Sequence, residues 1–172
     1  MISKKVEKEL NKQINAELYS AYLYLSMSAY ASSLNLNGFA NWLRIQFQEE
    51  QAHALLLYDY LIERGGNIVL EQIEKPQTKW KNIIDIFNEV LKHEEKVTSL
   101  INNLASVAIS EKDHATNSKL QWFINEQVEE EASVNDVLNQ LKMIEGKGSG
   151  LFMLDRELKQ RVFIPIVTTN KI

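Results

Sequence analysis

Cysteine is absent from the 172 residues, which removes disulfides, thiolate metal sites, iron–sulfur clusters and thiol catalysis together. Any metal must be held by oxygen and nitrogen. Proline occurs only twice and glycine six times, and these turn formers gather at Gly38, Gly65-Gly66, Pro76, Gly146, Gly148, Gly150 and Pro165. Long uninterrupted intervals remain between them. No apolar run approaches the length of a bilayer span, and the opening "MISKKVEKEL" lacks the apolar segment of a secretory signal. A cytoplasmic protein with no membrane partner is expected. The net charge is -4 with no basic block, which argues against nucleic acid as a partner.

What is present is helical periodicity. Read with a 3.6-residue period, the intervals predict helices from Lys4 to Leu34, Phe39 to Arg64, Asn82 to Ser110 and His114 to Glu145. A shorter fifth helix is expected from Gly150 to Phe163. The turns "NLNG" and "EKD" are short, so the helices they join must form antiparallel hairpins. The segment from Gly65 to Lys81 is different, since at about 3.3 Å per extended residue it can run the ~40 Å length of a helix. An all-α four-helix bundle with one long crossover is therefore predicted, with "NIVLEQI" packed on its outside. Residues 1–145 form the bundle, 146–164 a linker and fifth helix of the same domain, and 165–172 a tail.

Alternating steps of four and three select the core-facing positions. The first helix reads Leu10, Ile14, Glu17, Ala21, Tyr24, Ser28, Ala31, and the second Phe39, Leu43, Gln46, Glu50, His53, Leu57, Tyr60. The third reads Ile83, Phe87, Val90, Glu94, Val97, Ile101, Leu104, Ala108, and the fourth Leu120, Phe123, Gln127, Glu130, Val134, Val137, Leu141, Ile144. Each seam carries one glutamate near its helix midpoint, and midpoints coincide whichever way a helix runs. For a single glutamate a hydrogen-bonded core polar group is the simpler reading. Four of them, with no Lys or Arg on any seam, would each cost several kcal/mol if charged and unpaired. They must take up protons or bind cations, and glutamates from two helices plus Glu-x-x-His is the di-metal carboxylate pattern. Oxygen ligands with one imidazole suit iron or manganese better than tetrahedral zinc.

Glu17, Tyr24, "EEQAH" at 49–53, Glu94 and "NEQVEEE" at 125–131, with these helix lengths, closely resemble the non-haem ferritins of bacteria and archaea over essentially the whole chain. The resemblance implies a first iron on Glu17, Glu50 and His53, and a second on Glu50, Glu94 and Glu130, with Glu50 bridging. It implies a third iron on Glu49, Glu126, Glu129 and Glu130, and places Tyr24 and Gln127 beside the ligands. Two departures from relatives are visible. The second Glu-x-x-His of symmetric di-iron proteins reads Gln127-x-x-Glu130, and the methionine that binds haem in bacterioferritins is replaced by Gln51. No haem is expected, and a rubrerythrin-like iron module needs cysteines that are missing.

The function implied is oxidation of Fe(II) with O₂ or hydrogen peroxide and storage of the ferric product in a hollow shell of twenty-four subunits. The alternatives are a di-metal redox enzyme without storage, peroxide-scavenging or rubrerythrin-like, and a metal-free structural bundle. His93 and His114 are expected to be solvated, and Trp42, Trp80 and Trp122 to pack.

Overall fold

The computed structural model describes residues 2–166 as helices α1 (Lys4–Ser33), α2 (Asn37–Glu63), α3 (Ile83–Ser110), α4 (His114–Met143) and α5 (Gly148–Leu158), without a strand among them. Beyond Ile166 the expected tail lies outside the described residues. Among the described residues no helix is long and apolar enough to cross a membrane.

Three helices begin on a local side-chain cap, which satisfies backbone donors that no earlier turn can reach. Ser3 Oγ accepts from Val6 N at 3.3 Å, Asn82 Oδ1 from Asp85 N at 2.9 Å, and Asp113 Oδ1 from Thr116 N at 3.1 Å. Helix α2 has no such cap at Leu36. Its cap comes from α5 instead, where Asp155 Oδ1 accepts from Gly38 N at 2.8 Å and Phe39 N at 3.1 Å. That contact places a carboxylate against the positive end of α2, and α2 begins at Asn37, two residues earlier than its seam predicts.

The same docking ends α5 at Leu158 rather than at Phe163. Past Leu158 the backbone turns its carbonyls to α2, and Asn41 Nδ2 donates to Leu158 O and Lys159 O at 3.3 Å and to Arg161 O at 3.0 Å. Close approach at Gly38 makes the packing possible, because a Cβ there would stand 1.6 Å from Asp155 O. Replacing Gly38 by alanine is therefore expected to cost about 1–3 kcal/mol, the usual range for forced overpacking. Amide exchange should accelerate in 148–158 and change little in α3. Unaltered melting together with unaltered exchange in α5 would contradict this account.

The crossover runs the length of α1, as its reach predicts. Asn11 donates to Asn67 O at 2.9 Å and accepts from Val69 N at 2.7 Å, Ser26 Oγ donates to Gln77 O at 2.7 Å, and the Tyr30 hydroxyl donates to Trp80 O. Its apolar residues pack less than expected. Ile68 is half-buried, whereas Val69, Leu70 and Ile73 are exposed. The strap is held to α1 by these polar contacts, which fix its path without requiring its side chains to turn inward.

Every seam position is buried except Ile144, which is half-buried. The apolar core divides into two clusters. One gathers Met27, Phe39, Leu43, Phe87 and Leu141 with α5, and the other gathers Leu10, Leu57, Ile101, Leu120 and Phe123 at the opposite end. Between them lies the layer of seam glutamates.

Candidate metal centre

The helices bring their middle-layer side chains together because each glutamate occupies a position where a leucine would otherwise fill the core. Glu17, Glu50, Glu94 and Glu130 are all buried, as are His53, Gln46 and Gln127. Within this layer Glu17, Glu50 and His53 each present a ligand atom within 4.8 Å of the other two. His53, Glu126 and Glu130 do the same. The two groups share the imidazole, whereas the resemblance had implied sharing through Glu50. Glu126 reaches His53 and Glu130 from one helical turn away.

Glu94 belongs to neither group. Its Oε1 accepts from the Tyr24 hydroxyl and its Oε2 from Gln127 Nε2 at 3.1 Å, while the same amide meets Thr98 Oγ1 at 3.3 Å. Two donors thus hold Glu94 against the α1 and α4 walls. Glu49 is half-buried and paired with Arg161 at 2.7 Å, and Glu129 is exposed. The expected four-residue third site is therefore spread between a buried end at Glu130 and an open end at Glu129.

Two glutamates of the layer are held by amides, one from Gln13 off the seam and one from the seam residue Gln46. Gln13 Nε2 donates to Glu17 Oε1 at 2.8 Å, and Gln46 Nε2 donates to Glu130 Oε2 at 2.7 Å. No amide or hydroxyl donor reaches the buried Glu17 Oε2 or Glu50 Oε2, which leaves them a proton shared between the two carboxyls or a cation. Unsatisfied buried carboxylate oxygens are costly, and a cation is the partner that satisfies two at once. His53 Nδ1 stands 3.5 Å from Glu50 Oε2, with its ring set edge-on against Trp122 and Phe123 at 5.5 and 6.0 Å between centroids. Trp122 packs as expected, and it fixes the imidazole plane.

Burial drives the electrostatics. It pushes the Glu17 carboxyl well above the ordinary range, aided by the Glu50 charge, and it raises Glu50 with help from Glu94. Glu94 is also raised by burial, with Tyr24 and Gln127 opposing. Glu130 rises to about 7, again chiefly through burial and then through Glu94, against the Gln46 hydrogen bond. The Tyr24 phenol is held well above its usual value by burial and by the charges of Glu94, Glu50 and Glu130. It keeps its proton and donates it to Glu94.

One expectation fails outright. His93 is not solvated but half-buried, with Nε2 2.8 Å from Ser20 Oγ and its ring against Tyr19 and Tyr24. Burial, with Lys96 adding, lowers its pKa to about 4. Ser20 Oγ also reaches Ala16 O at 3.0 Å, and it shares a hydrogen bond with the neutral His93 ring. One step off the seam on α3, it packs against α1 with part of its ring still open to water.

A four-helix bundle with a buried middle layer of four glutamates and one imidazole is similar to the helical bundles whose facing carboxylates and imidazoles can hold metal ions in the core. The sequence matches the ferritin-like domain family over residues 7–144. It is 40% identical over 161 residues to the bacterial non-heme ferritin of Bacteroides fragilis, covering 94% of this chain and all of that one. It is 38% identical to that of Campylobacter jejuni, covering 92% and 95%. Among solved structures, an engineered closed form of the Archaeoglobus fulgidus ferritin superposes with a TM-score of 0.94 at 47% identity, over 95% of this chain and all of that one. The open pore ferritin of the same archaeon superposes with a TM-score of 0.93, also at 47% identity, over 94% and 99%. The chain belongs to the ferritin-like family, on the side of the bacterial and archaeal non-haem ferritins. Membership supports iron storage as its role.

Proposed function

We propose that the chain is an iron-storage ferroxidase: pairs of Fe(II) bind in the middle layer, O₂ or hydrogen peroxide oxidises them, and the ferric product passes to a store. Glu17, Glu50 and His53 hold one ion, and Glu50, Glu94 and Glu130 the other, with Gln127 beside them. Tyr24 orients Glu94 through its hydroxyl and is the candidate catalytic group next to the pair. Glu49, Glu126, Glu129 and Glu130 take a third ion on the side toward the store. The chain assembles with copies of itself into a hollow shell, for which the resemblance implies twenty-four subunits, and works in the cytoplasm without haem.

The observation that carries this reading is the convergence of the buried Glu17, Glu50 and His53, each offering a ligand atom within 4.8 Å of the other two. Burial and neighbouring charge raise the carboxyl pKa values of Glu17 and Glu50, which favours proton uptake by the metal-free layer. Ions entering therefore displace protons, and each carboxylate that ionises gains a cation close by. Fe(III) gains more than Fe(II) from the same oxygens, so the charge of the layer favours the oxidised product. The redox chemistry itself belongs to the iron.

The test combines particle size with iron content. Fe(II) is added anaerobically at two per chain, air is admitted, and ferric absorbance is followed, after which iron is added in excess and the particles are sized. Fast oxidation and a large particle holding far more iron than two per chain are expected. Two irons per chain without further uptake would instead indicate a di-metal redox enzyme, and no bound iron would overturn both.

A further inference from the structure

Arg161 already places a cation on the acidic layer. It lies three residues past the end of α5, and its Nη2 donates to Glu49 Oε2 at 2.7 Å. Its guanidinium lies 4.7 Å over the Trp42 ring, a contact that holds an always-charged planar group in place. Trp42 and Glu49 are two turns apart on α2, roughly 10 Å of rise, so the side chain extends along the helix toward the middle layer. The backbone that delivers it is fixed by Asn41, which takes the carbonyls of Leu158 and Arg161, and by Asp155 on the start of α2.

Glu49 connects this arginine to the metal groups. Glu49 precedes Glu50 on α2 and lies close enough to Glu130, His53 and Glu126 for their charges to act on it. The Arg161 charge reaches Glu130 as well. Glu126 and Glu130, with His53, form the second ligand group. The first group, by contrast, takes the Gln13 amide on Glu17, and the arginine does not bond to it.

We propose that Arg161 is the resident counter-cation of the acidic group at Glu49, Glu126 and Glu130, which a metal ion must displace from Glu49, so that the turn behind α5 sets how tightly this group holds metal. A divalent ion and a guanidinium repel each other across a shared carboxylate, most strongly where water is partly excluded. Glu49 and Arg161 keep only about a fifth and a quarter of their side-chain surface in solvent, at 20% and 25%. Stacking on Trp42 leaves the displaced guanidinium a place to stay, so release requires only the Glu49 contact to break. The inference rests on the proposed function to the extent that metal must reach this group.

The probe is Zn(II), which cannot be oxidised, titrated calorimetrically into the metal-stripped full-length protein. Arg161→Gln is expected to leave the tightest sites unchanged and to tighten the weaker class by about tenfold, the effect of removing one opposing charge at partial burial. Arg161→Lys, which keeps the charge, should stay near the parent. On a Glu49→Gln background the Arg161→Gln gain should vanish. A weaker class that does not tighten, is missing in both proteins, or tightens equally without Glu49 overturns the inference, leaving Arg161 an anchor for the turn. Failure of the parent to bind Zn(II) tightly at all would instead defeat the functional reading, which the iron oxidation measurement reports independently.

Discussion

Replacing His53 by alanine should slow Fe(II) oxidation by at least about 100-fold while leaving the helices and particle size unchanged. Loss of a residue that merely orients a metal ligand already costs 10- to 100-fold, and His53 is the one nitrogen donor in both ligand groups. Its removal therefore opens both groups together. The fold should survive, because the ring is flanked by Trp122 and Phe123 and by apolar clusters above and below, so the vacated volume costs stability in the ordinary range for one buried truncation. Stopped-flow absorbance at two Fe(II) per chain measures the rate, and circular dichroism with sizing checks the scaffold. Oxidation at the parent rate would remove His53 from the centre.

The second large effect concerns acidity. The metal-free protein is expected to lose stability as pH rises from about 5 to 8, opposite to a bundle held by ionised salt bridges. Glu130 has its folded pKa raised to about 7 from an ordinary 4.5, so between those values the folded state holds a proton that the unfolded chain releases. Its contribution is complete below the unfolded value and is lost as pH climbs through the folded one. At 1.36 kcal/mol per pKa unit the full loss is about 3 kcal/mol at this residue. Glu17, Glu50 and Glu94 shift in the same direction, and the more exposed Glu49 adds a smaller amount. Melting with chelator present should therefore fall by several degrees from pH 5.5 to 8. Bound divalent metal should reverse the slope, since its ligands must be deprotonated. A metal-free melting temperature that climbs over this interval would mean that the four carboxyls do not share one dry layer.

Much of this centre is legible in spacing alone. Glu17, Glu50, Glu94 and Glu130 fall on apolar seams at helix midpoints, and two antiparallel hairpins joined by a long strap must bring midpoints to one level. Periodicity reports a face, however, and says nothing of what a side chain finds across the bundle. The capping of α2 by Asp155, the amide of Gln46 on Glu130, and Arg161 on Glu49 join residues 84 to 117 positions apart, and each depends on rotamers that packing chooses. Glu94 illustrates the limit. Its seam position is right, yet Tyr24 and Gln127 decide where its oxygens point. His93 shows the converse, since one step off a seam is still inside when α1 lies alongside.

The division of the apolar core into two separate clusters has a mechanical consequence. As the four acids ionise, their repulsion pushes the helices apart at the waist, but the waist is gripped from both sides by interiors that include Phe39, Phe87 and Leu141 at one end and Leu57, Ile101 and Phe123 at the other. The bundle behaves as a beam clamped at its ends and loaded in the middle. Its deflection is limited by packing far from the load, so the spacing of the carboxylates is set before any ion arrives. Softening either grip, by Phe87→Ala or Ile101→Ala, should loosen ligand geometry without touching a ligand.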